Sequence, residues 1–378
     1  MMKPGATRAM NVPFVDLQAQ YQRIKAEIDA AIAGVINESA FIRGPHVENF
    51  ERAWAKTMGM RHCISCANGT DALYITMCGL QLKPGDEVIT TAHSWISTSE
   101  TITQAGGRVV FCDTDNNTFT INPALIEAKI TSRTVGIIPV HLYGQSVDMD
   151  AIMAIGAKHK LWVIEDCAQA HLARFKGRLV GTFGNAATYS FYPGKNLGAY
   201  GDAGCIVTND DSLADWTATF ARHGGKGDHV MEGVNSRLDG LQAAILNVKL
   251  PHLADWTEAR RRVASRYDEL LNGVGDIVTP EIGRNRDHVY HLYVIRTEKR
   301  DALKKHLADA GVATVLNYPK ALPFYPAYSY LGHKPADFPV AYRNQSLILS
   351  LPIYPEMSDE MIIYTASHIK GFYNGSKA

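Results

Sequence analysis

The distribution of apolar residues between positions 87 and 208 predicts a sheet whose strands are covered on both faces. The runs VGIIPVHLYG and LWVIEDCAQAH have few polar interruptions, as is typical of parallel strands that lie between two layers of helices. Further strands are predicted at residues 87–90, 108–112 and 188–191, and the segment between the first two is compatible with a helix. This alternation predicts an α/β fold.

Apolar residues at helical spacing predict several long helices outside these strands. One amphipathic helix is predicted at residues 17–35, and a second helix is predicted to begin near Val47. A further helix is predicted from about Arg237, and a long helix carries apolar residues along one side at positions 253–270. These helices are expected to pack on the sheet and to connect it to the last part of the chain.

The last third of the chain predicts a smaller α+β domain. Its predicted elements are, in order, a strand at residues 289–296, a helix at 300–310 and a strand at 312–317. A proline-rich segment at 319–339 predicts a loop over a cleft. We therefore expect a large domain at residues 11–250 and a small C-terminal domain at residues 251–378.

The charge balance favours a small-molecule ligand. The 378 residues include 38 Lys plus Arg and 38 Asp plus Glu, so there is no electrostatic basis for binding nucleic acid or an anionic membrane. The N-terminal MMKPGATRAM has no apolar core of a secretion signal, and no later apolar run is long enough to cross a bilayer. We expect a cytoplasmic protein whose first ten residues are loosely held.

No spacing in the sequence predicts a metal site. Cys63 and Cys66 form a CxxC within a predicted strand, where residues three apart point to opposite faces, and no second CxxC completes a zinc set. His288 and His291 have the same spacing on another predicted strand. The GGKG sequence after Ala221 lacks the spacing of a nucleotide-binding P-loop.

The segment ATYSFYPGKNLGAYGDAGCIVT places Lys195 on a tight glycine-rich loop between two apolar strands. A lysine near strand ends loses part of the solvation of its charge, which lowers its pKa and makes a neutral amine available to attack a carbonyl. This is the requirement for a Schiff-base lysine. The alternative is a solvated surface lysine, which is the more common kind in such loops.

Two other strand ends carry polar residues that could bind a ligand. In NGTDAL, Gly69 and Thr70 are candidate phosphate ligands at a helix N-terminus, unless Thr70 or Asp71 only caps the helix. Asp166 follows a buried strand and would need a cation there, such as a protonated ring nitrogen, with Gln169 facing the same crevice; a helix cap is the alternative.

Three further residues near predicted strand and helix ends could also contact a ligand. Trp95 lies just past a strand end, where open sheets bind ligands, although ordinary packing is the alternative. Asn235 and Arg237 lie at the start of a predicted helix and are candidate anion ligands or caps.

Together, and in this order, five segments resemble the DegT/DnrJ/EryC1/StrS family of sugar aminotransferases. They are NGTDAL, the Trp95 segment, EDCAQAH, the lysine loop and NSRLDGLQAAIL, within a similarity that extends from PFVDL to SLPIYP. The family consists of pyridoxal-phosphate enzymes with the aspartate aminotransferase fold, fold type I. The resemblance implies a large domain with a mostly parallel mixed sheet between helices, followed by the small α+β domain.

The resemblance also implies roles for the candidate residues. Lys195 is expected to bind pyridoxal 5′-phosphate as a Schiff base and to transfer protons, and Asp166 to keep the pyridine nitrogen protonated. Gln169 is expected to contact the phenolic oxygen of the cofactor, and Trp95 to stack on its ring. In turnover the cofactor becomes pyridoxamine phosphate.

The remaining implied roles concern the phosphate and the neighbouring subunit. Gly69, Thr70 and Ser190 match phosphate-binding positions of the family. Asn235 matches a residue that the neighbouring subunit supplies, which implies a homodimer with shared active sites.

The implied reaction is a ping-pong transfer of the amino group of glutamate to a nucleotide-linked keto sugar in amino-sugar biosynthesis. The segment PGKNLGAYGDAG resembles the branch that acts at C3, whereas enzymes acting at C4 more often have a TTGEGG-like stretch. A dTDP-3-keto-6-deoxyhexose is the expected sugar, with a UDP-3-keto-hexuronate or a C4-keto sugar as alternatives. NYPKALPF, with Asn317 and Pro323, replaces the histidine-containing YPxPLH segment of many relatives.

Two activities compete with transamination within this fold. Sugar 3-dehydratases of the family have histidine in place of the lysine, so Lys195 argues against them. A non-catalytic regulatory protein would have no need for Lys195, Asp166 and Gln169 together.

Overall fold

The computed structural model describes residues 10–375. In chain order its α-helices are α1 (Leu17–Arg23), α2 (Lys25–Glu38), α3 (Pro45–Met58), α4 (Gly69–Gly79), α5 (Ser97–Gln104), α6 (Met149–His159), α7 (Asp211–Phe220), α8 (Gly240–Lys249), α9 (Leu253–Leu271), α10 (Arg300–Asp309), α11 (Pro339–Leu347) and α12 (Asp359–Gly375). Its strands are β1 (His62–Cys66), β2 (Glu87–Thr91), β3 (Arg108–Cys112), β4 (Thr134–Ile138), β5 (Trp162–Asp166), β6 (Arg174–Phe175), β7 (Arg178–Leu179), β8 (Ala186–Ser190), β9 (Gly204–Thr208), β10 (Tyr293–Arg296) and β11 (Ile348–Leu351).

Within residues 10–375, seven strands form the central sheet in the order β1-β9-β8-β5-β4-β2-β3. The neighbours from β8 to β3 are parallel, whereas β9 is antiparallel to both β8 and β1. Every residue of β2 and of β9 is buried, because helices cover both faces of the sheet. The expected mostly parallel mixed sheet is confirmed.

The two faces of the sheet pack against different hydrophobic clusters. In β1, Cys63 packs against the cluster that contains Phe50 and Trp54 of α3, whereas Cys66 belongs to the cluster that contains Ile75 of α4. The two cysteines of the CxxC therefore point to opposite faces, as the strand prediction required.

Local sequence signals set the ends of α3. Pro45 stands in its first turn, where a missing N–H group costs nothing, and Gly59 follows its last residue with φ 65°. The Gly59 amide donates to the carbonyls of Ala55 and Lys56. This left-handed cap is accessible to glycine at little cost, so the helix ends there.

The predicted N-terminal helix is wrong in one respect, because it is two helices. Ile24 separates α1 from α2, with φ −122° and ψ 23°, outside the helical region. Its side chain is buried with Ile28 against Ile245 and Trp256. Helical spacing in the sequence cannot detect a change of axis that packing on α8 and α9 stabilises.

The small domain forms around a second core. In it, β10 pairs antiparallel with β11, and α9, α10 and α12 pack around them. The strand predicted at residues 312–317 is wrong. Val312 makes a single bridge to Val12 and Val315 a single bridge to Ser350, so the segment pairs on two sides without forming a ladder.

Two segments cross the predicted border between the domains, which itself stays a prediction. Val12 is buried in the core of the small domain. The proline-rich segment forms short 3₁₀ turns, and its Leu322, Tyr328 and Phe338 pack against Val88 of β2 in the large domain. Most of the N-terminal segment MMKPGATRAM lies outside the described residues. Among residues 10–375, no helix combines the length and the apolar character that a membrane span requires.

Candidate active site

A cavity of about 600 Å³ lies where the parallel strands end. Asp166 is the last residue of β5 and Ser190 the last residue of β8, so the side chains at these ends meet at one edge of the sheet. Seven of the predicted site residues line this cavity: Gly69, Thr70, Trp95, Asp166, Gln169, Ser190 and Lys195. Asn235 does not line it.

The cavity wall at the start of α4 is a close approach between two backbones. A Cβ atom at Gly69 would lie 2.7 Å from the Cβ atom of Ser190, closer than two carbon atoms can pack. Asn68 caps the helix, since its side chain accepts a hydrogen bond from the Asp71 amide at 2.8 Å. The alternative in which Thr70 or Asp71 provides the cap is therefore wrong.

The start of α4 has the chemistry of an anion site. The Thr70 hydroxyl lies at the cavity, 2.7 Å from the hydroxyl oxygen of Ser97. Uncapped amides of the first helical turn and the partial positive charge of the helix favour an anion at this position. Together with the Ser190 hydroxyl, these groups can hold a phosphate.

Lys195 lies on the turn after β8 and is partly buried at the cavity, not in bulk solvent. Its amide donates to the Tyr192 carbonyl at 2.8 Å, which closes the turn. Burial lowers the pKa of Lys195 to about 8, and the charge of Asp166 opposes this effect. At pH 7 about a tenth of such amines are neutral, far more than for an ordinary lysine.

Asp166 is 4% exposed. One carboxylate oxygen accepts from the Thr98 hydroxyl at 2.8 Å, and the other accepts from the Ala168 amide at 3.1 Å. Burial raises the pKa of Asp166 above its usual range, although these hydrogen bonds and the charge of Lys195 oppose the increase. The Ala168 bond closes a turn and no helix begins at Asp166, so the alternative of a helix cap is wrong.

The Gln169 side chain connects the large domain to the segment after Val315. Its carbonyl accepts from the Tyr143 amide at 2.6 Å, and its amide donates to the Tyr318 hydroxyl at 2.8 Å. Tyr318 also lies 5.5 Å from Trp95, ring centre to ring centre. Sequence analysis missed Tyr318 as a site residue, because its contacts lie 149 or more positions away in the chain.

The prediction that the proline-rich segment 319–339 covers a cleft is wrong for this cavity, because none of its residues lines it and only the two residues before it do. Asn317 and Tyr318 line it, and the Tyr318 amide donates to Nε2 of His93 at 3.0 Å. Pro323 is buried and does not line the cavity. Of the two departures from the common YPxPLH pattern, therefore, Asn317 is the one placed to contact a ligand.

Asn235 is exposed and forms an isolated bridge with Arg222. The cap of α8 is Asp239, whose side chain accepts from the Gln242 amide at 2.8 Å. The alternative in which Asn235 or Arg237 caps this helix is therefore wrong. An exposed Asn235 outside the cavity of its own chain remains free to contact a second molecule.

The side chains of His141, Glu165 and Cys167 are buried, and their ligand atoms lie within 4.8 Å of one another. His141 accepts the Val147 amide on Nδ1, so its Nε2–H group donates to Glu165 at 3.1 Å. Both Glu165 oxygens also accept backbone amides between residues 181 and 184. Because the carboxylate is saturated with donors, Glu165 and His141 form a structural hydrogen-bond network that fixes the chain after β7.

The comparison with protein families decides the assignment. The model of the DegT/DnrJ/EryC1/StrS aminotransferase family matches residues 22–370. The chain belongs to this family. The expected fold, the expected aminotransferase activity and the expected dependence on pyridoxal phosphate are confirmed at the level of the family.

The curated relatives are similar over most of their length. The "pleiotropic regulatory protein" of Geobacillus stearothermophilus is 48% identical over 96% of this chain and 99% of its own length. The dTDP-3-amino-3,4,6-trideoxy-α-D-glucose transaminase of Streptomyces venezuelae is 40% identical, with 92% of each chain covered. The UDP-2-acetamido-2-deoxy-3-oxo-D-glucuronate aminotransferase of Pseudomonas aeruginosa is 43% identical and covers 93% of this chain and 97% of its own.

Solved structures of family members have the same fold. DesV of S. venezuelae, solved with a ketimine intermediate, superposes with a TM-score of 0.93 at 38% identity, over 96% of this chain and 98% of its own. The ntda protein of Bacillus subtilis, solved with bound pyridoxamine phosphate, gives 0.89 at 32% identity, over 97% of this chain and 86% of its own.

The cavity of this family member fits the cofactor on its own geometry. It offers a helix N-terminus with a close backbone approach for a phosphate and a lysine with a lowered pKa for an aldehyde. It also offers the buried carboxyl group of Asp166. Burial disfavours the negative charge of this group, and a protonated ring nitrogen would stabilise that charge.

Replacing Gly69 by alanine is expected to weaken pyridoxal phosphate binding by about 10- to 100-fold, because the added methyl group displaces Ser190 from the phosphate end of the cavity. Absorbance titration of the apoenzyme measures this affinity. Gly34→Ala is the matched control, since a Cβ atom at Gly34 meets nothing within 4 Å. Equal affinity in the two variants would contradict a phosphate site at Gly69.

Proposed function

We propose that this chain transfers the amino group of glutamate to C3 of a nucleotide-linked 3-keto sugar, with a dTDP-3-keto-6-deoxyhexose as the substrate. The observation that carries the proposal is that Lys195, with a lowered pKa, and the buried carboxyl group of Asp166 share one cavity with the anion site at Gly69. By their names, the S. venezuelae relative acts on a dTDP-linked sugar and the P. aeruginosa relative on a UDP-linked sugar, both at C3.

Bound pyridoxal phosphate supplies an electron sink that allows a proton to leave the Cα atom of an amino acid. Lys195, placed in the same cavity, accepts this proton on Nζ and later returns it, since an amine with a pKa near 8 exchanges protons readily at neutral pH. The carboxylate of Asp166 would stabilise the protonated ring nitrogen of the cofactor. Gln169 and Trp95 would contact the cofactor ring, and Gly69, Thr70 and Ser190 would bind its phosphate.

The second candidate sugar is a UDP-3-keto-hexuronate, favoured by the 43% identity to the P. aeruginosa enzyme. A C4-keto sugar is disfavoured because the lysine loop reads PGKNLGAYGDAG. Lys195 disfavours a dehydratase. The regulatory name of one relative does not favour a non-catalytic role, since this chain keeps Lys195, Asp166 and Gln169 in one cavity.

The test is a screen of dTDP- and UDP-linked 3-keto and 4-keto sugars with glutamate as the donor. The purified enzyme is incubated with each sugar, and 2-oxoglutarate is measured. Production with a dTDP-3-keto sugar supports the proposal, and a preference for UDP-linked or 4-keto sugars would replace its substrate. Absence of 2-oxoglutarate with every sugar, from a protein that binds pyridoxal phosphate, would contradict the reaction.

The active unit of this proposal is a homodimer in which Asn235 of one protomer contacts the cofactor of its partner. Asn235 lies exposed outside its own cavity, and Trp95 and Tyr192 at the cavity mouth are each 57% exposed. Large exposed aromatic side chains beside a binding site are typical of a surface that a partner covers.

Mixing two inactive variants tests this shared site. Lys195→Ala and Asn235→Ala protomers are each expected to be impaired alone, but a mixed dimer contains one cavity with Lys195 of one chain and Asn235 of the other. Activity should therefore rise when the two proteins are unfolded, mixed and refolded together. A mixture no more active than its two components would contradict a site shared between protomers.

A further inference from the structure

Arg260, on α9, is a buried cation in the wall of the cavity. It is 4% exposed and lines the cavity together with Phe14 and Ile353. Burial lowers the pKa of Arg260 to about 10, so the guanidinium remains charged at neutral pH. A buried charge is costly unless it is paired.

The hydrogen bonds of Arg260 fix its position without neutralising it. Its Nη1 group donates to the carbonyls of Tyr290 at 3.1 Å and Ile353 at 3.0 Å, and more weakly to that of His291 at 3.4 Å. Its Nε group is buried and has no hydrogen-bond partner among the described residues. Three carbonyls hold one edge of the guanidinium, so a further donor is left for another acceptor.

No carboxylate of residues 10–375 forms an ion pair with Arg260. Glu356 attracts it from a greater distance, and the Oε1 atom of Glu356 is itself buried without a partner. The guanidinium is therefore not neutralised by an ion pair within the described residues. An anionic ligand would supply what the protein does not.

Arg260 lines the same cavity as the reacting lysine. Both Lys195 and Arg260 lower the pKa of His291, which burial already holds well below its usual value. His291 lines the same cavity and is a neutral imidazole. A ligand that reaches Lys195 therefore has a fixed, dry cation within the same cavity.

We infer that Arg260 binds a carboxylate group of the amino donor. The inference rests on the proposed function and names a residue that recognises the amino donor. A planar guanidinium matches a carboxylate better than an ammonium group does, and it is charged at every working pH. The sugar half of the reaction, whose acceptor carbon carries no carboxylate, does not require this contact.

The test separates the donor's carboxylate from its amine. The holoenzyme is mixed with L-glutamate or with n-butylamine, which has no carboxylate, and the change in the absorbance of its Schiff base is followed. Arg260→Gln is expected to slow the reaction with glutamate on the order of 100-fold and to leave the butylamine reaction unchanged. Arg260→Lys, which keeps the charge, should lie between the two. An equal loss with both amines would show a structural role and overturn the inference.

Arg300→Gln is the matched control. Arg300 is also buried and donates through Nη1 to two carbonyls, of Gln345 and Ile348, but it does not line the cavity. The Arg300→Gln variant should change the rates with glutamate and with n-butylamine to the same extent. A wild-type enzyme that reacts with neither amine overturns the proposed function and this inference with it, whereas Arg260→Gln reacting with glutamate at the wild-type rate overturns the inference alone.

Calorimetry with glutarate gives a readout independent of turnover. Glutarate carries the two carboxylates of the donor without its amine. The wild-type holoenzyme is expected to bind it, and Arg260→Gln to bind it on the order of 30-fold more weakly. Unchanged glutarate binding in Arg260→Gln would overturn the inference even if the variant reacted slowly.

Discussion

Replacing Lys195 by alanine is expected to abolish turnover and the yellow colour of the holoenzyme, with a loss of about 10⁴-fold or more in kcat. Within the described cavity, Lys195 is the amine placed to form a covalent bond with an aldehyde. The rate of 2-oxoglutarate formation and the absorbance spectrum measure the two losses.

The same variant should still bind pyridoxamine phosphate, because the phosphate end at Gly69 and the carboxyl group of Asp166 are untouched. Retained binding would show that the variant is folded and has lost only its catalytic activity. Lys83→Ala, at an exposed turn before β2, is the control and should remain yellow and active. Near-normal turnover in Lys195→Ala would contradict its assignment as the proton-transfer group.

The residues at the ends of β5 and β8 could be predicted from the sequence because their signals are local. Asp166 and Lys195 each adjoin an apolar run, and a parallel sheet brings the carboxyl ends of its strands to one edge. Gly69 could be predicted as a site residue for the same reason, since it lies between the apolar strand β1 and the start of α4. In these segments the strand pattern alone determines where the side chain lies, so the sequence contains the information.

Tyr318 and Arg260 could not be predicted in this way. Tyr318 reaches Gln169 from 149 positions away, and Arg260 is one of three consecutive arginines on α9. Arg261 instead forms an ion pair with Asp287, and Arg262 one with Asp359. The helical pattern does not distinguish Arg260, which lines the cavity, from Arg261 and Arg262, which form ion pairs. The difference depends on tertiary packing.

The error at residues 312–317 has a similar origin. This segment has the composition of a strand, but it lies between the N-terminal segment at Val12 and the end of β11 at Ser350 and makes one bridge to each. The break at Ile24 also depends on a buried cluster that includes Trp256, more than 200 positions away. Local propensity is overridden where distant segments fix the backbone.

Replacing Asp166 by asparagine is expected to slow removal of the Cα proton on the order of 1000-fold, as for loss of one member of a buried charge pair. The carboxyl group is 4% exposed, and its burial raises its pKa. A negative charge held in this environment stabilises a protonated ring nitrogen beside it, whereas a neutral amide does not. Exchange of the glutamate Cα hydrogen for solvent deuterium measures this step directly.

Thr98→Val is the matched control for Asp166→Asn. It removes the hydroxyl that donates to Asp166 at 2.8 Å and keeps the carboxyl group and the side-chain shape. Since that hydrogen bond lowers the pKa of Asp166, its loss raises the pKa further, but the group can still ionise against a cation. The expected loss is about 10-fold. If Thr98→Val were as slow as Asp166→Asn, the hydrogen-bond geometry of the site, and not the charge of Asp166, would control the proton step.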